Sequence, residues 1–131
     1  MIGLDTNVLV RYLAQDDAMQ SARATRLIER ELSERDPGYV SLIVLVETWW
    51  VLKRCYAASL EELRETTRDL LDARQLVIEQ RRVVARALAN LSGEPDDFAD
   101  ALIAAHAIDV GCLRIVTFDK AASKVGMTLL H

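Results

Sequence analysis

Five short apolar runs, separated by stretches of helix-forming composition, constrain this chain more than any other feature. The runs are Met1 to Leu4, Gly38 to Val40, Gln75 to Glu79, Leu113 to Phe118 and Met127 to Leu130. Short strands with helices between them predict an α/β fold with a mainly parallel sheet, because parallel neighbours need a crossover and a helix usually supplies it. The first run reads as a buried strand, and Leu113 to Phe118 is the strongest strand candidate. Helix signals fill the gaps. Thr6 is placed to cap a short helix through Val8 to Leu13. Asp16 to Arg35 forms a long charged helix in which Met19, Ala22, Leu27, Ile28 and Leu32 recur at roughly helical spacing. Asp36-Pro37-Gly38 breaks it.

Ser41 caps a helix from Leu42 to about Tyr56. Ser59, with Glu62 three residues on, makes a capping box for a helix to about Ala73. Arg81 to Leu91 is helical and is stopped by Ser92-Gly93-Glu94-Pro95. Asp96 or Asp97 starts a helix that Gly111 ends. Asp119 to Lys124 provides a last turn or two. No repeat, linker or low-complexity tract interrupts the pattern, so residues 1–131 are expected to form one domain.

The charge balance narrows the partners. Sixteen Lys and Arg against twenty Asp and Glu leave a formal net charge of −4. That disfavours phosphate-backbone binding by the whole surface, but not at one point where a metal ion adds positive charge. Cys55 and Cys112 form neither a disulfide framework nor a zinc spacing and are expected as reduced, semi-buried thiols. No basic leader precedes the first run. The longest apolar stretch, Tyr39 to Leu52, is broken by Glu47 and is shorter than the roughly 20 residues of a membrane span. A soluble, cytoplasmic protein with no membrane partner is the expectation. Trp49 and Trp50 point about 100° apart on their helix, so one core cannot receive both. With Tyr56, Leu60 and Leu63 they give an apolar surplus that points to self-association.

Four acidic residues carry the chemistry. Asp5 ends the first apolar run, Glu47 lies within Ser41 to Leu52, Asp100 sits in the alanine-rich run Phe98 to Ala107, and Asp119 ends Leu113 to Phe118. A carboxylate among apolar neighbours is costly without compensation. Parallel sheets place ligands beyond the carboxyl ends of their strands, where the following helices also begin. Four acids at such positions suggest a shared hard cation, Mg²⁺ or Mn²⁺, which prefers oxygen donors. Each acid also has a plainer role open to it: a position just before the N-cap for Asp5, helix capping for Asp97 and Asp119, a surface position for Glu47, and the positive helix end for Asp100. His106 and His131 are expected to be structural or solvated.

The runs Ile2-Gly3-Leu4-Asp5-Thr6-Asn7-Val8-Leu9, Val46-Glu47, Asp97-Phe98-Ala99-Asp100-Ala101-Leu102-Ile103-Ala104-Ala105 and Val116-Thr117-Phe118-Asp119 resemble PIN domains. Within that family the chain is similar to the VapC-type toxins of bacterial toxin–antitoxin pairs. The resemblance spans the whole chain, in the family's order and spacing. It implies a three-layer α/β/α fold with a five-stranded parallel sheet. It also implies Mg²⁺- or Mn²⁺-dependent cleavage of RNA, a homodimer, and inhibition by a cognate antitoxin encoded alongside. The family's acidic set maps onto Asp5, Glu47, Asp100 and Asp119, both as metal ligands and as the catalytic set. Thr6 and Asn7 match the polar pair after the first acid, and Thr117 matches the hydroxyl residue near the fourth. One departure is that many of these toxins carry Thr-Arg-Asn before an Asp-Phe, where this chain has Thr117-Phe118-Asp119, as other branches of the family do.

Asp97 is a candidate support for the ligands, and Thr6, Asn7 and Thr117 are candidates to orient them or to contact the phosphate. Arg11, Lys53 and Arg54 are candidates for binding the RNA backbone. Two other classes stay open. A phosphoacceptor receiver domain wants an acidic pair after its first strand, where this chain has Asp5 alone, although Lys120 does follow a late strand. A non-catalytic module can bind metal for stability only.

Overall fold

A computed structural model describes residues 1–91 and 93–131; Ser92, part of the expected helix stop, lies outside the described residues. The described residues form an α/β structure of seven α-helices, one π-helical turn and five short strands. Their contacts divide the chain into two compact units, Met1–Glu79 and Gln80–His131.

In the first unit, β1 (Ile2–Gly3), β2 (Gly38–Val40) and β3 (Leu76–Ile78) pair in that order, all parallel. Each crossover uses two helices. α1 (Thr6–Ala14), α2 (Ala18–Arg26) and a π-helical turn (Leu27–Glu31) join β1 to β2; α3 (Leu42–Tyr56) and α4 (Leu60–Asp72) join β2 to β3. The caps explain the helix starts. The Ser41 hydroxyl accepts the Val44 N–H at 3.1 Å, and Glu79 at the end of β3 accepts the Leu42 N–H at 2.7 Å. Ser59 and Glu62 exchange side-chain and backbone hydrogen bonds at the start of α4. Gly38 has no space for a side chain, since a Cβ there would meet Leu32 Cδ1 at 2.7 Å. Leu9, Ile28, Val40, Leu45 and Leu63 are almost wholly buried. Trp49 lies among the core residues and donates its indole N–H to the buried Thr67 hydroxyl at 2.8 Å.

In the second unit, α5 (Arg81–Asn90) and α6 (Asp97–Asp109) pack together. α5 buries Val83, Val84, Ala87 and Leu88, and α6 buries Phe98, Ala101, Leu102, Ala104 and Ala105. Gly111, at φ +103°, lets the chain turn back after α6. β4 (Val116–Thr117) and β5 (Thr128–Leu129) pair in parallel through α7 (Lys120–Ser123). A small core of Ala104, Ala122 and Met127, with Ile115 against it, holds this end.

Several expectations are corrected. The described strands form ladders of three and two, not one sheet of five. β1 and β4 are two residues each and pair with β2 and β5 respectively; so short a strand offers few ladder groups, and an apolar run does not name its partner. Ile2 is exposed, so the first run buries only Leu4. Leu113 is 99% exposed, and the expected strand shrinks to Val116–Thr117.

Asp5, not Thr6, caps α1. The long Asp16–Arg35 helix ends at the π turn, and its buried positions are Ser21, Ala24, Ile28 and Leu32, leaving Met19 and Ala22 on the outer face. Both cysteines are exposed. Of the expected apolar surplus, Leu63 belongs to the core, while Trp50 is 53% exposed. No helix among the described residues is long and apolar enough to cross a membrane.

Two substitutions separate capping from packing. Ser59→Ala should cost about 1 kcal/mol, and Leu63→Ala about 2–5 kcal/mol, both read by urea denaturation. Equal losses would contradict the assignment of Leu63 to the core.

Candidate active site

The first unit brings Asp5 and Glu47 to one cleft. Asp5 leaves the sheet after Leu4 in an extended conformation, and one of its carboxylate oxygens accepts the Thr6 N–H at 2.7 Å. Thr6 is the first residue of α1, and its hydroxyl donates to Glu47 Oε1 at 2.8 Å. α1 packs on α3, which carries Glu47 in its second turn. The cleft has a volume of about 440 Å³, and its walls include Asp5, Thr6, Asn7, Arg11, Glu47, Val51, Cys55 and Tyr56. Asp5, Asn7 and Glu47 are exposed to it rather than buried.

Charge in the cleft wall is partly offset. Arg11 forks onto Asp16, with its Nη1 3.1 Å from Oδ2 and 3.3 Å from Oδ1, and its Nε donates to Gln20 Oε1 at 2.8 Å. The Tyr56 hydroxyl donates to the same Asp16 carboxylate. That hydrogen bond, with Arg11 adding its charge, holds the Asp16 pKa below the ordinary value. Lys53 is half-buried on α3. Arg54 lies with its guanidinium carbon 5.1 Å from the centre of the Trp50 ring.

The second unit carries the other acids. Asp100 lies in the first turn of α6, three residues after Asp97. Asp97 Oδ2 accepts the Glu94 N–H at 3.1 Å and so closes the turn before the helix. Asp119 caps α7 by accepting the Ala121 N–H at 2.9 Å, while its own N–H donates to the Thr117 hydroxyl oxygen at 3.0 Å. The capping role weighed for Asp119 is therefore real, Asp5 itself caps α1 instead of standing before the cap, and Asp97 bonds back to Glu94 while Asp96 takes the N-cap position of α6. Each occupies one carboxylate oxygen and leaves a second.

Asp100 differs. Burial first, then the charges of Asp119 and Asp97, hold its pKa above the ordinary carboxylate value. It carries negative charge that its surroundings do not offset. Among the described residues, no three His, Cys, Asp or Glu side chains within either unit gather closely enough to hold a metal ion by themselves. The donors themselves are all carboxylate, amide and hydroxyl oxygens, and with an under-compensated carboxylate at Asp100 their chemistry fits a hard divalent cation.

Among the cleft walls, Val51, Cys55 and Tyr56 are residues that the sequence reading did not place at the site. Glu47, Val51 and Cys55 recur four apart and share one face of α3, a signal that was readable. The Arg11–Asp16–Tyr56 link ties α1, the loop after it and α3 together and had no local signature.

Strand ends and helix starts that present oxygen donors define an α/β protein suited to divalent ions. A model of the PIN domain family matches residues 2–127, and the chain belongs to that family. PIN domains are in general metal-dependent nucleases that act on nucleic acids. No curated protein matches the chain.

The raised Asp100 pKa has a signed consequence. The folded protein holds that proton more tightly than the unfolded chain. Stability therefore falls as pH rises through the ordinary carboxylate value to the folded one, and the penalty is complete above it. Asp100→Asn should raise the melting temperature at pH 7 in EDTA, and the gain should vanish once the carboxyl is protonated in acid. A lower melting temperature at pH 7 would contradict this.

Proposed function

We propose that this chain is an endoribonuclease that uses Mg²⁺ or Mn²⁺, works in the cytoplasm as the toxin of a toxin–antitoxin pair, and acts as one PIN-like domain over residues 1–131. The observation that carries this is the Thr6 hydroxyl tied to Glu47 beside Asp5, in a chain of a nuclease family. Asp5, Glu47, Asp100 and Asp119 are the proposed ligands and catalytic set. When bound, such an ion supplies Lewis acidity, favouring loss of a proton from the attacking water and offsetting charge on the phosphate.

The chain's own residues do the positioning. The Thr6 N–H engages one Asp5 oxygen and leaves the other for a ligand bond. The Thr6 hydroxyl fixes the rotation of the Glu47 carboxylate. Asp119 is oriented in the same way by the Ala121 N–H. Thr117 accepts from the Asp119 N–H, so its hydroxyl proton stays available to a phosphate oxygen. Asn7, exposed at the cleft, offers amide N–H groups to the same substrate. Asp97 supports the start of α6 under Asp100. The reaction is hydrolysis: water adds at phosphorus, the P–O bond to the departing ribose breaks, and a proton goes to the leaving oxygen.

Asn is as good an N-cap as Asp, so Asp5→Asn should leave the fold intact. It should abolish cleavage of structured RNA in Mg²⁺, with the melting temperature nearly unchanged. A variant that still cuts at the wild-type rate would remove Asp5 from the set. Intact RNA with the wild-type protein in Mg²⁺ and Mn²⁺ would leave only a binding module.

The exposed Trp50, Ile43 and Tyr56 support a homodimer, and a cognate antitoxin is the expected inhibitor. Sedimentation should give twice the chain mass; a monomer at every concentration would count against self-association.

A further inference from the structure

A second groove lies on the other side of α1 residues that line the first. It has a volume of about 490 Å³ and is lined by Asn7 and Arg11 from α1, with Gln20, Arg23, Ala24 and Leu27 opposite. Asn7 and Arg11 also line the cleft that holds Asp5 and Glu47. They stand four residues apart on α1 and so share one face. Those two residues form a wall common to both hollows, one lined further by Asp5 and Glu47 and the other by Arg23.

We propose that the groove between α1 and α2 binds the sugar-phosphate backbone of a single RNA strand, with Arg23 as its anchoring charge. This rests on the ribonuclease reading and extends it to where the strand runs after it leaves the acidic cleft.

The lining supports this occupant. Asn7, Gln20, Arg11 and Arg23 present N–H donors, and no acidic residue lines the groove. Ala24 and Leu27 give it an apolar floor that suits ribose and base faces. In a chain of net charge −4, such a strip is a local exception. Arg11 meets a phosphate only in competition with Asp16, which already holds it. Arg23 is exposed, makes no ion pair among the described residues, and lies one turn beyond Gln20. Its planar fork matches phosphate oxygens. Gln20 is fixed by its hydrogen bond to Arg11, which ties the two walls together across the groove.

The test uses the full chain and a labelled single-stranded RNA decamer. Binding is followed by anisotropy against NaCl concentration, with Ca²⁺ replacing Mg²⁺, and cleavage in Mg²⁺ is measured in parallel. Arg23→Gln should weaken binding several-fold and lower the slope of log affinity against log salt by about 0.7, the value for one phosphate contact on a single strand. Arg23→Lys should restore most of that slope. Asp16→Asn should steepen it by releasing Arg11. Arg86→Gln, on α5, controls for net charge alone.

The groove assignment is overturned if Arg23→Gln changes the slope no more than Arg86→Gln does. It is equally overturned if Arg23→Gln leaves RNA binding intact but splits the dimer, which would make the groove a protein contact. A wild-type protein that cuts no RNA, yet whose RNA binding Arg23→Gln still weakens as expected, would sink the nuclease reading and leave the groove standing.

Discussion

One hydrogen bond, from the Thr6 hydroxyl to Glu47, constrains the first unit's chemistry more than any other contact. It joins residues 41 apart in sequence, the first turn of α1 and the second turn of α3. It forms because both helices start at the carboxyl ends of parallel strands, where chain direction and helix dipole place polar groups together. Asp5 has three roles at that rim. It follows β1, caps α1, and keeps one oxygen unengaged. Asp119 repeats the pattern between β4 and α7. A capping carboxylate is already oriented by backbone N–H groups, so little ordering remains when it takes a ligand.

The acids of the second unit act on one another. Asp100 sits partly buried with Asp97 and Asp119 acting on it, and its carboxyl resists ionisation. A chain selected only for stability has little reason to keep that arrangement, whereas a chain that binds a divalent ion gains from it. The apolar surface follows the same logic. Ile43 and Trp50 are exposed on the helix that carries Glu47. Both lie to one side of Glu47 by helical phase, so exposed apolar surface and carboxylate share one helix.

Helices were more legible than strands, for reasons visible in particular residues. Ser41 and Ser59 have side chains that satisfy orphan N–H groups, so α3 and α4 begin where the sequence expects them. Their periodic burial then carries them to Tyr56 and Asp72. α1 ends at Gln15 in a left-handed conformation with no glycine to announce it. On α2 the buried face includes Ser21, a polar residue that apolar counting passes over. Strand runs fail differently. Leu113 to Phe118 is apolar enough for a buried strand, yet only Val116 and Thr117 pair, because hydrophobicity records what a residue prefers and not which neighbour's backbone it meets. Of the candidate site, the Asp5–Thr6–Glu47 link was legible as residue types at strand ends and helix starts. The bond itself, and the Asp16 clasp on Arg11, depend on tertiary packing that no local pattern encodes.

The central claim is that these acids exist to hold a divalent ion. Titration of the metal-free protein with Mn²⁺, followed by electron paramagnetic resonance of the free ion, tests it most directly. Saturable uptake at near-stoichiometric protein, competed by Mg²⁺ and releasing protons more readily at mildly acidic pH than at neutral, is the predicted result. A free-Mn²⁺ signal that tracks the added metal as it does in buffer would contradict the account.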